Sequence, residues 1–238
     1  MLAEKSKRQS SSVAKRCLEI VSGYNVAEPP YNHAELIYLQ SGEVSISFIG
    51  KAKSLHVVEK DAFIISPRNR GMIISAIKDS RLEIVRLPYS SPRILSQSLT
   101  EISTGIFKID YSSMGMDSLF KDLIKISSSQ EFQSNSIIQN CIKNINSRKG
   151  NITIKELHET LGISKSTLEQ HFIKALGLSP KEYCRIEKLN HFLKSYETLP
   201  KYSLTELAYY CGYYDQSHLI KDFQYFLNTS PKRYLTSN

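Results

Sequence analysis

The residues best suited to chemistry stand near the C-terminus, and they are polar without being catalytic. Lys165, Ser166, Glu169, Gln170 and Ile173 form one run; Gln216, Ser217, Ile220, Lys221 and Gln224 form another. Gln, Ser and Lys can pair with base edges or phosphates, Glu can accept from cytosine N4, and Ile can pack on a thymine methyl. The rest of the chain offers little for catalysis, with no nucleophile elbow and no glycine-rich phosphate loop. His33 is followed by Ala34 and Glu35 without a second histidine two residues on, and His56 stands alone on an expected strand. No metal site, no cofactor and no enzyme activity are expected on that ground. Cys17, Cys141, Cys184 and Cys211 form no CxxC pair. That leaves neither a thiolate zinc cage nor a disulfide framework, and a reduced, cytoplasmic protein is expected.

The two polar runs are one element used twice. When Ile152 is placed over Tyr202, Thr153 meets Ser203, Glu156 meets Glu206, Leu157 meets Leu207 and Gly162 meets Gly212. After a one-residue insertion, Leu168 meets Leu219, Phe172 meets Phe223, Leu176 meets Leu227, and Ser179-Pro180 meets Ser230-Pro231. Thr153 and Ser203, each with Glu three residues on, predict capping boxes. Gly162 and Gly212 predict left-handed turns just past short helices. Second helices follow, capped by Ser164 and Asp215, and bury Leu168, Phe172 and Leu176 or Leu219, Phe223 and Leu227. A short helix, a glycine turn and an amphipathic helix make a helix-turn-helix. The chain carries two. Pro180 to about Ser195 predicts one helix holding the units apart.

The remainder must position these units. The chain has 238 residues with 41% apolar and 23% charged, a globular composition, and no stretch long and apolar enough for a membrane span. Net charge is +8; up to Phe132 there are 17 basic against 14 acidic residues, and beyond it 14 against 9. That bias favours phosphate backbones. From Glu35 to Leu87 the runs ELIYLQ, VSISFIG, SLHVVEKDAFIIS, MIISAI and SRLEIVRL predict short strands of a small antiparallel barrel. A Ser-rich texture follows to Gly150. Ile138, Cys141, Ile142 and Ile145 share a helical face that suits either a dimer seam or the buried first helix of the helical domain. The tyrosines at 209–210 and 213–214 are expected to pack in core and turns.

The C-terminal stretch from Ile137 to Leu235 resembles the AraC/XylS transcriptional regulators. The resemblance rests on LHETLGISKSTLEQHFIKALGLSPKEY and LAYYCGYYDQSHLIKDFQYFLNTSPKRY. It implies base contacts by Ser166, Glu169, Gln170, Gln216, Ser217 and Lys221, and phosphate contacts by Ser164, Lys165 and Lys174. Members usually carry a basic residue where Gln170 stands and a glycine where Asn228 stands. More weakly, the segment from Tyr31 to Pro67 is similar to the cupin-like sensory domains that precede this module.

The expected architecture is therefore α+β: a leader at 1–30 and a cupin-like β domain at 31–112. A connecting helix and linker at 113–133 lead to the double helix-turn-helix domain at 134–238. The leader KSKRQSSSVAKR suits a solvated tail or a phosphate-contacting arm. The expected function is sequence-specific regulation of transcription, as an activator, with two reading helices in successive major grooves of double-stranded DNA. RNA polymerase, a second copy and a small-molecule effector are further expected partners. Two rivals remain: a cupin-type metal-dependent enzyme for a small molecule, and an interaction module with an accessory basic domain.

Overall fold

The computed structural model describes residues 15–87, 99–103, 106–110, 118 and 136–237. The expected connecting helix and linker at 113–133 fall outside this set, apart from residue 118, as do residues 1–14. The chain divides into a β unit and a helical unit.

The β unit is built from β1 (Lys15–Ile20), β2 (Asn25–Glu28), β3 (Ala34–Phe48), β4 (Ser54–Val58), β5 (Ala62–Ile65), β6 (Met72–Leu87), β7 (Leu99–Ser103) and β8 (Ile106–Ile109). They form one sheet in the order β1-β6-β3-β5-β8-β7, with β2 added on β6 and β4 on β3. The pairs β1–β6, β3–β4, β3–β5, β5–β8 and β7–β8 are antiparallel. Of the expected period-two set Val44, Ile46 and Phe48, the first two are buried while Ser45 and Ser47 are not, and Phe48 at the strand end is only half-buried. Ala34, Leu36, Ala62, Ile64, Val85, Leu87 and Ile109 make a core against which Tyr38 and Phe107 pack. Each large aliphatic side chain so buried contributes about 1.5–3 kcal/mol.

The expected strands differ from the observed ones in length and number. ELIYLQ and VSISFIG are one strand, β3, and MIISAI and SRLEIVRL are one strand, β6. Gly42 lets β3 continue, because its φ is 95° and a Cβ there would lie 2.3 Å from the Asp79 carbonyl oxygen. The glycine is a close crossing inside a strand and not a turn between two. The expected leader is also corrected. Residues 15–28 contain β1 and β2, and β1 pairs with β6. Lys15 meets Glu83 at 2.8 Å and Arg16 meets Glu28 at 2.5 Å, so these two cations serve the sheet. Arg16 shares the face of buried Leu18 and Ile20 and pairs with buried Glu28, and a cation at that otherwise apolar position hid the strand.

The helical unit comprises α1 (Ser136–Ser147), α2 (Ile154–Leu161), α3 (Lys165–Leu176), α4 (Pro180–Thr198), α5 (Leu204–Tyr210), α6 (Gln216–Leu227) and α7 (Pro231–Ser237). Ile138, Cys141, Ile142 and Ile145 of α1 are buried, which makes α1 the covering helix of this domain. Residues 29–32 and 68–72 also belong to the helical unit. Asn32 donates to the Tyr183 carbonyl at 3.2 Å and to Glu187 at 2.9 Å, and Asn69 donates to Glu182 at 2.7 Å. No helix among the described residues is long and apolar enough to cross a membrane.

All four cysteines are free. Burial pushes the Cys141 thiol up to about 11 and the Cys184 thiol up to about 12, and it also raises Cys211. A thiol held protonated and out of solvent does not alkylate. Iodoacetamide is therefore expected to label only Cys17 in native protein and all four in denaturant, as read by mass spectrometry. Labelling of Cys141 or Cys184 in the native state contradicts this packing.

Candidate nucleic-acid interface

Both helix-turn-helix units start with the same reciprocal cap. Thr153 Oγ1 accepts the Glu156 amide at 3.1 Å while the Glu156 carboxylate accepts the Thr153 amide at 2.7 Å. Ser203 and Glu206 repeat this at 3.2 and 2.7 Å. The turns follow at Gly162 (φ 63°) and Gly212 (φ 82°), the second one residue beyond the Cys211 cap. A residue with a Cβ at 212 would strain the left-handed turn and push the Asn151 side chain away. A Cβ would lie 2.0 Å from Asn151 Oδ1, whose side-chain amide donates to the Cys211 carbonyl at 3.0 Å. Ser164 then caps α3 by accepting the Thr167 amide at 3.0 Å, and Asp215 caps α6 by accepting the His218 amide at 2.7 Å.

These caps set the phase of each second helix. Leu168, Phe172 and Leu176 of α3 and Leu219, Phe223 and Leu227 of α6 are buried, as the spacing predicts. The opposite faces go to solvent. Ser166, Gln170, Gln216, Ser217 and Lys221 are exposed, and Glu169 is half-buried. Ser164, Lys165 and Lys174 are exposed as well. Gln216 is additionally steadied by Thr205, whose hydroxyl lies 3.1 Å from its Oε1. Two apolar side chains stand among the polar ones, Ile173 at 57% and Ile220 at 41% exposure. Asn228 takes the left-handed conformation (φ 51°) where the resemblance implies glycine, and Asn adopts that conformation more readily than other side-chain-bearing residues.

The tyrosines depart from expectation. Tyr213 is buried, but Tyr209, Tyr210 and Tyr214 face solvent. Three important residues were missed altogether: Asn151, Arg185 and Asp222. Asp222 sits in the apolar stripe of α6, 1% exposed, and accepts from Arg185 Nε at 2.9 Å and Nη2 at 2.6 Å. An acidic residue at a stripe position was the available signal. In the β unit, His56 bonds Glu43 at 2.7 Å, and Glu35 is buried with Arg16 at 3.8 Å. Among the described residues no group of three His, Cys, Asp or Glu could hold a metal ion.

The capping carboxylates carry a pH signature. The Thr153 backbone and side chain, with a further contribution from Arg148, lower the Glu156 pKa from its ordinary 4.5. The Ser203 backbone and side chain lower that of Glu206 in the same way. A depressed folded pKa means that the stabilisation is present above 4.5 and lost as pH falls through the lowered value. Replacing Glu156 and Glu206 by Gln is expected to lower the thermal midpoint at neutral pH and to flatten its decline in acid. A variant whose acid decline matches the parent contradicts the role given to these caps.

Residues 157–237 match a family model described as a helix-turn-helix domain. No curated protein matches the sequence. The fold is similar to that of ToxT from Vibrio cholerae, with a TM-score of 0.60 at 10% identity over 95% of this chain and 99% of that one. A second ToxT structure gives 0.59 at 11% identity over 95% and 98%. ToxT bound to (E)-4-(8-methylnaphthalen-1-yl)but-3-enoic acid gives 0.58 at 10% identity over 95% and 99%. At such identity the likeness concerns the fold, and it spans the β domain as well as the helical one. With the paired caps, turns and outward polar faces, the family match makes residues 157–237 an AraC-type helix-turn-helix domain, the DNA-binding module of a transcriptional regulator.

Proposed function

We propose that the protein reads a bipartite DNA site by placing the N-terminal turns of α3 and α6 in successive major grooves of one duplex. Ser166, Glu169 and Gln170 meet base edges in one groove, and Gln216, Ser217 and Lys221 do so in the next. Ser164, Lys165 and Lys174 lie against phosphates. The observation that carries this reading is the matched division of each second helix into a buried apolar stripe and an exposed polar ridge. Groove spacing on B-DNA is roughly 34 Å, and a rigid pair that does not match it bends the site at a cost of about 1–6 kcal/mol.

The finer regulatory picture is part of the same proposal. The protein acts inside the cell as an activator, alone or as a homodimer, and makes contact with RNA polymerase from its DNA-bound position. The β domain takes a small-molecule effector. Support for an effector comes from the fold shared with ToxT, which has been solved with an unsaturated fatty acid and with a naphthalenyl butenoic acid.

Selection from a random duplex pool, followed by footprinting, tests the reading. The expected site has two protected segments about one helical turn apart, and affinity falls steeply with salt. Lys221→Ala is expected to relax preference at one base pair, at about 1–3 kcal/mol of discrimination. A uniform loss across all sequences moves Lys221 from base edge to phosphate. Binding indifferent to salt overturns the whole reading.

A further inference from the structure

The structure assigns Arg185 and Asp222 as positioning residues that fix the rotation of the second reading helix. The inference rests on the DNA-reading proposal above and deepens it.

Asp222 lies on α6 immediately after Lys221 and is 1% exposed, on the side of the helix that carries buried Leu219, Phe223 and Phe226. Arg185 comes from α4 and reaches one oxygen, Oδ1, with both Nε and Nη2. The guanidinium carbon lies 4.6 Å from the Tyr225 ring centroid and 4.9 Å from that of Phe226, so two α6 rings flank the charge. The Tyr213 hydroxyl is buried nearby; burial first, then the Asp222 charge, holds its pKa well above the ordinary phenol range. Tyr213 therefore stays neutral and adds no second negative charge beside Asp222.

An apolar stripe is permissive about rotation, because dispersion contacts are non-directional. An ion pair on a buried carboxylate is not, even with its Arg185 partner 28% exposed, and the best-attested use of such pairs is to fix register and geometry, since they add little net stability over apolar packing. The consequence for reading is large. At a helix surface radius of about 5–6 Å, a roll of roughly 20° moves side-chain positions by about 2 Å, well outside hydrogen-bond tolerance. Gln216, Ser217 and Lys221 all ride on that roll. By the 51-residue offset the first unit carries half-buried His171 where α6 has Asp222, so the first unit does not repeat this aspartate.

The test compares base discrimination at the two half-sites. Arg185→Met with Asp222→Leu removes both charges together and leaves apolar groups of similar size. This variant is expected to fold, as read by circular dichroism, and to keep wild-type discrimination at the half-site read by α3. Discrimination at the half-site read by α6 is expected to fall about fivefold or more. Arg185→Lys, which keeps the charge but not the two-nitrogen contact, is expected to fold and to show a smaller loss confined to the same half-site. Retention of full discrimination by either folded variant overturns the assignment, and so does an equal loss at both half-sites. Should the double variant fail to fold, Arg185→Lys decides alone by the same criteria. Wild-type protein that discriminates at neither half-site overturns the DNA-reading proposal and this one with it.

Discussion

Helices α3 and α6 bury their apolar stripes beside one shared helix, and the rest of the helical domain depends on that constraint. An isolated helix-turn-helix leaves an apolar stripe that water disfavours. Here α4 covers it for both units. Phe172 of α3 meets Tyr183 of α4 edge-on with ring centroids 5.7 Å apart, and Phe223 of α6 meets Phe192 of α4 in the same manner at 5.7 Å. Because Tyr183 and Phe192 lie on one continuous helix, the inward faces of the two units are set by one axis. Their outward polar faces are set with them.

Local contacts tie the two units together across that shared wall. Asn151, just ahead of the first unit, seats its side chain against the turn of the second. Lys188 of α4 donates to the Gly212 carbonyl of the same turn at 3.0 Å. The lead-in to one unit, the shared helix and the turn of the other unit therefore meet at Gly212. Capping boxes at Thr153 and Ser203 keep the short helices from fraying, which matters because helices of eight and seven residues are too short to be stable alone. The Arg185–Asp222 pair then adds a directional contact that apolar packing lacks.

Much of this was legible in the sequence, for a physical reason. Caps, glycine turns and apolar stripes are local devices, and each leaves a fixed spacing that repeats when the unit repeats. Thr153, Glu156, Gly162, Leu168 and their second copies were readable on that account. Asn151, Arg185 and Asp222 act across the fold on residues tens of positions away, and no short spacing records such pairings. Asp222 interrupts an otherwise apolar stripe, yet its partner on α4 could not be named from spacing alone. In the β domain the reading failed for similar reasons. Gly42 has the look of a turn, whereas its reason is the approach of β6, and β1 was hidden because Arg16, on the face of Leu18 and Ile20, puts a charge where an apolar residue is expected.

If α4 holds the two polar ridges at a fixed separation, they act on DNA as one ruler. A spacing series on the selected site measures this most directly, with base pairs added one at a time between the half-sites and affinity read by gel shift. The ruler predicts the highest affinity at the natural spacing, a collapse toward non-specific binding after about half a helical turn (~5 base pairs), and no full recovery after a whole turn. Affinity that stays level across the series would instead show two independent helices on a flexible tether and no ruler at all.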